Sequence, residues 1–392
     1  MLAHSPPGIP LIIDHIDNKY YHDLTPVDEE GIILALQLRD RVRRIRIMKS
    51  IPILQKLIIA LDGQFPILEF LLIWDKRYYR PLIDPTTNLD LPQTFWAPHL
   101  RQLLLWNFAT PIESPQLTNM RSLITLSLGS IPSSAYFHPN VLLQRLSLLP
   151  QLEVFRIQFR VYNPSRDVES QLWRTRVTLP NLRWFGFRGT SAYLEVLLPW
   201  VTIPLLEQLR VYFFNRIIYS IPHLRQFMST AQNLLLKTAK VISREDYLRV
   251  VAYPHEEARY NLDIELGGKH FDWQVVSAAQ VLPAFKTVFS AVEDLTFEYV
   301  RHNMLPEWNR QANRTHWREL LGSFGKVKTL RVERGLVEQV SRALQPGEGE
   351  PSTELLPELQ ELSYSRRGAS RAFSLFIDAR KKAGRPLTVD YI

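Results

Sequence analysis

The sequence repeats one short pattern, Pro-x-Leu-x-x-φ-x-φ, in which φ is an apolar residue and x is any residue. The copies that begin with proline start at Pro66, Pro98, Pro150, Pro180, Pro204 and Pro357. Further copies keep the apolar spacing without the proline and start at Val42, Leu123, Val292 and Val327. A recurring spacing of this kind indicates a repeat architecture, and it constrains the fold more than any other feature of the chain.

Each copy of the pattern predicts a short strand that follows a helix or turn. Proline lacks a backbone N–H and biases the preceding residue towards extended geometry, so it ends a helix and sets the start of a strand. The φ-x-φ pair has a period of two, and both apolar side chains therefore face the same side of the strand. Such a short strand is not stable alone, so we expect the strands to stack in parallel and share a core.

The segments between the strands predict helices. Residues 26–40 begin with acidic side chains and continue with apolar residues at helical spacing. Residues 50–63 begin with Ser50, carry Pro52 in the first turn and end at Gly63. Similar patterns occur at residues 138–150, 190–201, 220–231 and 316–325. Strands that alternate with helices favour right-handed crossovers and a parallel sheet.

The period of the repeat is loose, since successive strands lie 23 residues apart from Leu103 to Leu126 and 35 apart from Leu295 to Leu330. These lengths lie at and beyond the long end of leucine-rich repeats. The predicted fold is therefore α/β. We expect a right-handed solenoid, or horseshoe, of the leucine-rich-repeat type, with a parallel sheet on the concave face and helices on the convex face.

The repeat is interrupted once. Residues 240–270 fall out of register, although "YLRVVAY" and "YNLDIEL" each alternate as strands and suggest a hairpin. We predict an N-terminal array over 1–235, a degenerate repeat or insertion over 236–271, and a C-terminal array over 272–392 that ends in a capping helix and strand. All three belong to one continuous predicted solenoid. Residues 345–354 are rich in Gly, Pro and Glu and predict a loop.

The repeats resemble the leucine-rich repeat region of fungal F-box-type proteins, especially the irregular sets of basidiomycetes. The stretches that carry the resemblance include "DEEGIILAL", "FWAPHLRQLLL", "YFHPNVLLQRLSLLPQLE" and "TLPNLRWFGFRGTSAYLEVLLP". The resemblance implies the substrate-recognition part of a ubiquitin ligase receptor, in which an F-box binds the ligase adaptor. No F-box segment fits before Leu11, and the asparagine or cysteine that usually follows the third apolar position is mostly missing.

The residues that flank the inward φ positions define a candidate binding surface, because they line up on the concave face of a parallel solenoid. On the early and middle strands these positions hold tryptophan, tyrosine and arginine, which dominate binding hot spots, and on the late strands they hold mixed charges. The predicted contact residues are Trp74, Trp106, Arg156, Trp184, Arg188, Arg210 and Tyr212. The alternative is that the tryptophans pack against one another or under a long loop such as residues 75–95.

Catalytic and metal-binding motifs are weak throughout. The chain contains no cysteine, which excludes disulfides, thiolate metal sites and a cysteine nucleophile. The stretch "ELGGKH" lacks the spacing of a phosphate-binding loop, and His255 has no second histidine at helical metal spacing. No G-x-S-x-G elbow occurs. We therefore expect neither an enzyme nor a cofactor or metal.

The leading functional hypothesis is a non-catalytic interaction module with a protein or peptide partner on the concave face. A ligase adaptor would be a partner only if an F-box lies upstream of Met1. The alternatives are a free-standing scaffold, an incomplete gene model, or a binder of nucleic acid or anionic surfaces through arginines. The net charge of +8 permits the last, but 39 acidic residues interspersed with 47 basic ones make it the least favoured.

The N-terminus and the apolar segments indicate where in the cell the protein is expected. The N-terminus lacks a basic region, and prolines interrupt its apolar part, so we expect no secretory signal. No window approaches the run of about 18 apolar residues that a membrane span needs. The expected location is cytoplasmic or nuclear, with no contact to a membrane.

Overall fold

A computed structural model describes residues 6, 8–16, 26–75, 89–109, 112–160, 175–214, 220–255, 259–268, 271–300, 314–333, 335–345, 355–365 and 373–392. The chain divides into two compact units. Unit 1 comprises Met1–Gly189 and Trp200–Leu205, and unit 2 comprises Thr190–Pro199 and Leu206–Ile392. The predicted division at residues 235 and 272 stays a prediction.

Unit 1 alternates strands with helices. Its strands are β1 Leu11–Ile16, β2 Val42–Lys49, β3 Phe70–Asp75, β4 Gln102–Trp106, β5 Thr125–Ile131, β6 Val154–Phe159, β7 Val177–Thr178, β8 Trp184–Gly189 and β9 Val201–Thr202. Its α-helices are α1 Pro26–Gln37, α2 Ile51–Ile59, α3 Pro115–Thr118 and α4 Pro139–Leu146. Strands β1 to β6 and β8 pair in that order, all in parallel, while β7 pairs with β9 in a separate parallel sheet.

The repeated apolar positions of unit 1 form two buried rows across the sheet. The first row contains Ile45, Leu71, Leu103, Leu126, Phe155 and Phe185. The second row contains Ile47, Ile73, Leu105, Leu128, Ile157 and Phe187. Every member is at most 8% exposed. The prediction that the φ-x-φ pairs face a shared core is therefore confirmed on the strands of unit 1 that carry the repeat.

Unit 2 contains a mostly parallel sheet with one reversed strand. Its strands are β10 Gln208–Phe213, β11 Thr238–Ser243, β12 Tyr247–Tyr253, β13 Leu262–Gly267, β14 Asp294–Tyr299, β15 Thr329–Val332, β16 Glu361–Tyr364 and β17 Thr388–Tyr391. The order is β10-β13-β12-β11-β14-β15-β16-β17. Strand β12 runs antiparallel to both β11 and β13, and the other neighbouring strands of the unit pair in parallel.

The helices of unit 2 pack on its apolar side. They are α5 Ser191–Leu197, α6 Pro222–Ser229, α7 Phe271–Val281, α8 Lys286–Phe289, α9 Arg314–Leu321, α10 Val337–Leu344 and α11 Ser374–Lys382. Phe297 of β14 meets Trp317 of α9 with ring centroids 5.7 Å apart. Helix α6 has no side-chain cap of its own. Instead the Glu195 carboxylate of α5 accepts hydrogen bonds from the backbone N–H groups of His223 and Leu224, at 2.9 and 2.8 Å.

The predicted mixed α/β class with a large, mostly parallel sheet is confirmed, and so is the hairpin, formed by β12 and β13. The rest of the predicted insertion over 236–271 includes β11 and the start of α7. Most of the predicted loop at 345–354 lies outside the described residues, and so do residues 76–88 of the long loop at 75–95. In the described part of the chain, no helix combines the length and apolar character that a membrane crossing requires.

Candidate functional site

Alternate residues of the unit 1 strands form a second side of the sheet, which we call the opposite face. Its first row contains Arg44, Phe70, Gln102, Thr125, Val154 and Trp184. Its second row contains Arg46, Leu72, Leu104, Ser127, Arg156 and Gly186. Its third row contains Met48, Trp74, Trp106 and Gly129. Strand β5 has a register shift after this point, and beyond it Gln158 of β6 pairs with Arg188 of β8. Five of the predicted contact residues therefore share this face.

Two tryptophans stack across the third row. The rings of Trp74 and Trp106 lie 4.8 Å apart with only 17° between their planes. The Arg156 guanidinium carbon lies 4.9 Å from the centre of the Trp106 ring, a cation–π contact. Trp106 thus lies between an aromatic ring of β3 and a cation from β6. It is only 5% exposed, so its side chain holds the surface together and offers little area to a partner.

Glycines make room for the tryptophan rings. A Cβ atom on Gly129 would lie 2.4 Å from Trp106 ring carbons, and one on Gly186 would lie 2.6 Å from the Trp184 ring. Such distances are well inside van der Waals contact, so any side chain at either glycine would displace a ring. The same Cβ atom on Gly186 would lie 3.3 Å from the Arg156 Cγ, so the stem of that arginine lies beside Trp184.

The orientation of Arg156 is fixed by Gln158. In the amide orientation that satisfies both groups, the Gln158 side-chain oxygen accepts hydrogen bonds from Arg156 Nη2 at 2.6 Å and Nε at 2.8 Å. Gln158 is only 4% exposed, while Arg156 is half-buried. The guanidinium is therefore held in one plane by Gln158 and the Trp106 ring.

The first row contains a second arginine that lies on an aromatic ring. The Arg44 guanidinium carbon lies 4.3 Å from the centre of the Phe70 ring. In the next row, Arg46 forms an ion pair with Asp14 of β1 at 3.4 Å, and both side chains are about two-fifths exposed, at 39% and 44%. An exposed pair of this kind adds little stability, so Arg46 remains able to exchange its carboxylate partner.

The other two predicted contact residues, Arg210 and Tyr212, belong to unit 2 and surround one buried carboxylate. Asp263 of β13 is fully buried and accepts two hydrogen bonds from Arg249 of β12, Nε to Oδ1 at 2.7 Å and Nη2 to Oδ2 at 3.0 Å. The Tyr212 hydroxyl donates to Oδ2 at 3.0 Å, and Arg210 Nε lies 3.6 Å from the same oxygen. Arg210 also donates to the Tyr260 hydroxyl.

The Asp263 cluster, formed by Asp263, Arg210, Tyr212, Arg249 and Tyr260, shifts the pKa of Tyr212 and of Arg249. Burial, followed by the Asp263 charge and the hydrogen bond to it, raises the pKa of Tyr212 far above that of free tyrosine. The hydrogen bond to Asp263 raises the pKa of Arg249. Both shifts favour the protonated donor, so the cluster stays paired at neutral pH. These contacts occupy both oxygens of the Asp263 carboxylate.

Asp263 and Arg249 are not among the predicted contact residues, and Gln158 is not singled out among the flanking residues of its strand. The alternation of "YLRVVAY" and "YNLDIEL" marks both strands, and it places Arg249 and Asp263 on the side away from the apolar residues. A pairing could have been suspected from that pattern. The strand order that brings β10 beside β13 has no local signal. Gln158 belongs to the flanking residues of its strand, but nothing in the sequence marks it as a partner of Arg156.

The candidate metal-binding motifs of the sequence find no support in the described ranges. No group of three histidine or acidic side chains there could hold a metal ion. In the stretch "ELGGKH", residues 265–267 belong to β13 and residue 268 follows it. Lys269 and His270 lie outside the described residues. His255 follows β12, and its neighbours Glu256 and Glu257 also lie outside them.

Comparisons with known proteins do not assign the chain to a family. No family model matches the chain, and no curated protein matches its sequence. Among solved structures, a leucine-rich-repeat protein of Leptospira interrogans is similar at 13% identity, covering 91% of this chain and 97% of that chain with a TM-score of 0.26. A likeness at this TM-score carries no argument about shape or function, and nothing in it points to a fungal or F-box-type origin.

Proposed function

We propose that the chain is a non-catalytic protein-interaction module and that the opposite face of unit 1 binds a partner protein or peptide. The observation that carries the proposal is the alignment of Trp74, Trp106, Arg156 and Trp184 on one face, where each is held by a neighbour. Tryptophan and arginine bury large areas while keeping a polar group for hydrogen bonding, and they are enriched in binding hot spots.

The rigidity of this surface supports a binding role. Arg156 is fixed by Gln158 and Trp106, and the rings of Trp106 and Trp184 fill spaces that glycines leave open. A surface whose side chains are already ordered loses less entropy when a partner binds. Trp74, Arg156, Trp184 and Arg188 are half-buried, so they retain surface for contact, whereas Trp106 acts by supporting them.

We also propose the finer architecture that the repeat suggests, a leucine-rich-repeat solenoid whose concave side is the opposite face. The in-register apolar rows and the parallel pairing in unit 1 support this proposal. Small-angle X-ray scattering tests it. A curved solenoid gives an elongated pair-distance distribution, and a compact spherical distribution would contradict it.

Within this function, a substrate receptor of an F-box-type ubiquitin ligase is the more specific possibility, and only the sequence resemblance supports it. A free-standing scaffold has the same surface without the adaptor. Reading the coding sequence upstream of Met1 and testing for co-purification of the ligase adaptor separates the two. An upstream F-box that binds the adaptor supports the receptor, and an intact upstream reading frame without one supports the scaffold.

The proposed binding face is tested by affinity capture from the source cells with a matched pair of double variants. Trp184→Ala with Arg188→Ala removes one aromatic ring and one cation from the opposite face. Trp96→Ala with Arg121→Ala removes the same two groups from exposed positions outside the strands, where Trp96 is 40% exposed. We expect partners captured by the parent chain to be lost from the first variant and kept by the second.

Two results would contradict the proposed function. Either both variants retain the same captured proteins as the parent chain, or both lose them equally. Circular dichroism and thermal melting of each variant establish that the fold is intact, so that a loss of capture is assigned to the face and not to unfolding. Arg188→Lys, which keeps the charge and loses the planar guanidinium, gives an intermediate capture if the contact is bidentate.

A further inference from the structure

We propose that a small open cleft of unit 1 binds one neutral sugar ring of a glycan, with the ring resting on Trp96. The cleft has a volume of about 290 Å³ and is lined by residues from three segments, at 64, 93–96 and 115–119. Its polar and exposed aromatic lining consists of Gln64, Gln93, Thr94, Trp96, Gln116 and Asn119. None of these belongs to the opposite face, so the inference does not depend on the proposed function.

The backbone holds Trp96 in a fixed position. Its N–H donates to the Gly63 carbonyl at 3.1 Å, and its carbonyl accepts from the Phe65 N–H at 2.9 Å. The rings of Phe65 and Phe95 pack together 5.8 Å apart, and both side chains are buried. Trp96 follows Phe95 directly and is 40% exposed. A large aromatic side chain therefore lines the cleft on a fixed backbone and keeps part of its surface open to a ligand.

Gln116 connects two walls of the cleft and keeps one acceptor without a partner. Its Nε2 donates to the Pro92 carbonyl at 3.0 Å, which ties α3 to the segment that leads to Trp96. The residue is only 6% exposed, and within the described part of the chain its Oε1 accepts no hydrogen bond. Buried polar atoms are nearly always paired, so an unpaired acceptor in the lining of a cleft points to a donor supplied by a ligand. A sugar hydroxyl is such a donor.

The chemistry of the lining selects a neutral ligand with several hydroxyl groups. None of the described residues that line the cleft is charged. An ionic ligand would lose hydration there without gaining an opposite charge. An amide offers two donors and one acceptor oxygen, and a hydroxyl donates and accepts as well, so the two groups match in either direction. Four lining residues carry a side-chain amide, namely Gln64, Gln93, Gln116 and Asn119.

Trp96 explains why the ligand should be a ring. The C–H bonds on one side of a pyranose form an apolar face, and the electron-rich face of an indole attracts the positive ends of these bonds. Apolar contact with a few placed polar groups is the usual composition of a small-molecule site. The volume lies just below the range of about 300–1,000 Å³ for such sites, so the cleft fits one ring and leaves adjoining sugars in solvent.

A nucleotide is the main competing ligand, because glutamine and asparagine also recognise adenine and an indole also stacks on a base. Its phosphate would need a cationic partner, and the described residues that line the cleft include no lysine or arginine. The lining therefore favours a sugar. Adenosine, which has the base without the phosphate, is the competing probe in the test.

The test is binding of neutral oligosaccharides to the full chain, measured by saturation-transfer NMR. The probes are oligosaccharides of glucose, mannose, galactose and N-acetylglucosamine, with adenosine and the sulfated polysaccharide heparin for comparison. We expect at least one neutral oligosaccharide to bind with a Kd of about 1 mM, since a single ring in a small cleft makes few contacts. Its affinity should be the same at low and high salt, because no ion pair forms.

Matched variants locate the site. Trp96→Ala should weaken the binding at least about tenfold, whereas Trp96→Phe keeps an aromatic face and should retain the affinity within about threefold. Gln93→Ala removes one amide at an exposed position and should weaken the binding about fivefold. Trp184→Ala removes an indole from the opposite face instead and should leave the affinity for the sugar within about twofold.

Four results would overturn the sugar site. They are no transfer to any neutral oligosaccharide at about ten times the expected Kd, equal weakening by Trp96→Ala and Trp184→Ala, tighter binding of adenosine than of every oligosaccharide, and a preference for heparin that salt abolishes. None of them bears on the opposite face. Because Trp96 is also in the control pair of the capture experiment, that capture is repeated with the best oligosaccharide in solution, which occupies the cleft and leaves the opposite face open.

Discussion

Gly129→Ala should destabilise the chain although it adds a single methyl group in a strand. The new Cβ would lie 2.4 Å from two carbons of the Trp106 indole ring and 2.7 Å from a third. The ring cannot simply move away, because Trp74 is stacked on it at 4.8 Å and Arg156 lies 4.9 Å from its centre. Relief requires the ring to shift by about 1 Å, which disturbs both contacts.

The magnitude follows from two opposing effects. Overpacking a well-filled site by one methyl group costs about 1–3 kcal/mol. Replacing glycine by alanine restricts the unfolded chain and offsets about 0.4–1 kcal/mol of that loss. We therefore expect a net destabilisation of about 1–2 kcal/mol. For a unit of about 200 residues this lowers the melting temperature of unit 1 by about 2–8 °C.

Gly31→Ala is the matched control, since Gly31 lies in α1 and a Cβ there would have no heavy atom within 4 Å. The same substitution should stabilise the helix by about 0.5–1 kcal/mol because alanine is the better helix former. Thermal unfolding followed by tryptophan fluorescence and far-ultraviolet circular dichroism measures both variants. The two substitutions should therefore shift the melting temperature in opposite directions.

A double-mutant cycle assigns the Gly129 effect to the ring. In a Trp106→Leu background the indole is gone, and Gly129→Ala should cost at least about 1 kcal/mol less than in the parent chain. The reasoning is refuted if Gly129→Ala is as stable as the parent, or if its cost is unchanged when Trp106 is replaced.

Two further predictions concern the Asp263 cluster. Asp263→Ala should cost about 3 kcal/mol in the free energy of unfolding, because it leaves Arg249 without its buried carboxylate. This cost is at the low end for broken buried pairs because the Arg210 and Arg249 side chains are 28% and 27% exposed. Urea denaturation at neutral pH measures it. The raised pKa of Tyr212 means that folding favours the neutral phenol, so its contribution is complete below about pH 10 and is lost as the pH rises beyond that value. Tyr212→Phe should therefore flatten the fall in urea midpoint above about pH 10, and an unchanged slope there would contradict the assignment.

Much of the fold could be read from the sequence because the repeat encodes it locally. The period of two in each φ-x-φ pair placed Ile45 and Ile47, and their equivalents, on the buried side, and the structure aligns them in register. Helices such as α2 and α6 could be expected for the same reason, since proline in the first turn and apolar residues at helical spacing mark them. These signals act over a few residues and need no knowledge of tertiary neighbours.

Other features depend on neighbours that the sequence does not specify. A period of two is the same for parallel and antiparallel strands, and the predicted hairpin covers only the pairing of β12 with β13. Nothing local shows that β12 also pairs with β11 or that β13 lies beside β10. The pairing of Arg210 and Tyr212 with Asp263 follows from that order alone. Likewise, the burial of Trp106 depends on which residue faces it on the next strand, and that residue is Gly129.

Disulfide trapping tests most directly whether the strands of unit 1 align their flanking residues into one face. The chain has no cysteine, so a pair introduced by substitution reports only its own distance. Gln102 and Thr125 are partners in the β4–β5 register, whereas Ser127 lies two residues further along β5. Neighbouring strands are about 4.8 Å apart and the diagonal is about 8 Å, while a disulfide needs Cα atoms within about 7 Å.

We predict that Gln102→Cys with Thr125→Cys forms a disulfide under mild oxidation and that Gln102→Cys with Ser127→Cys does not, as resolved by peptide mass mapping. Crosslinking of the second pair in preference to the first would show a different register. It would place other side chains along the second row and contradict the account of the opposite face.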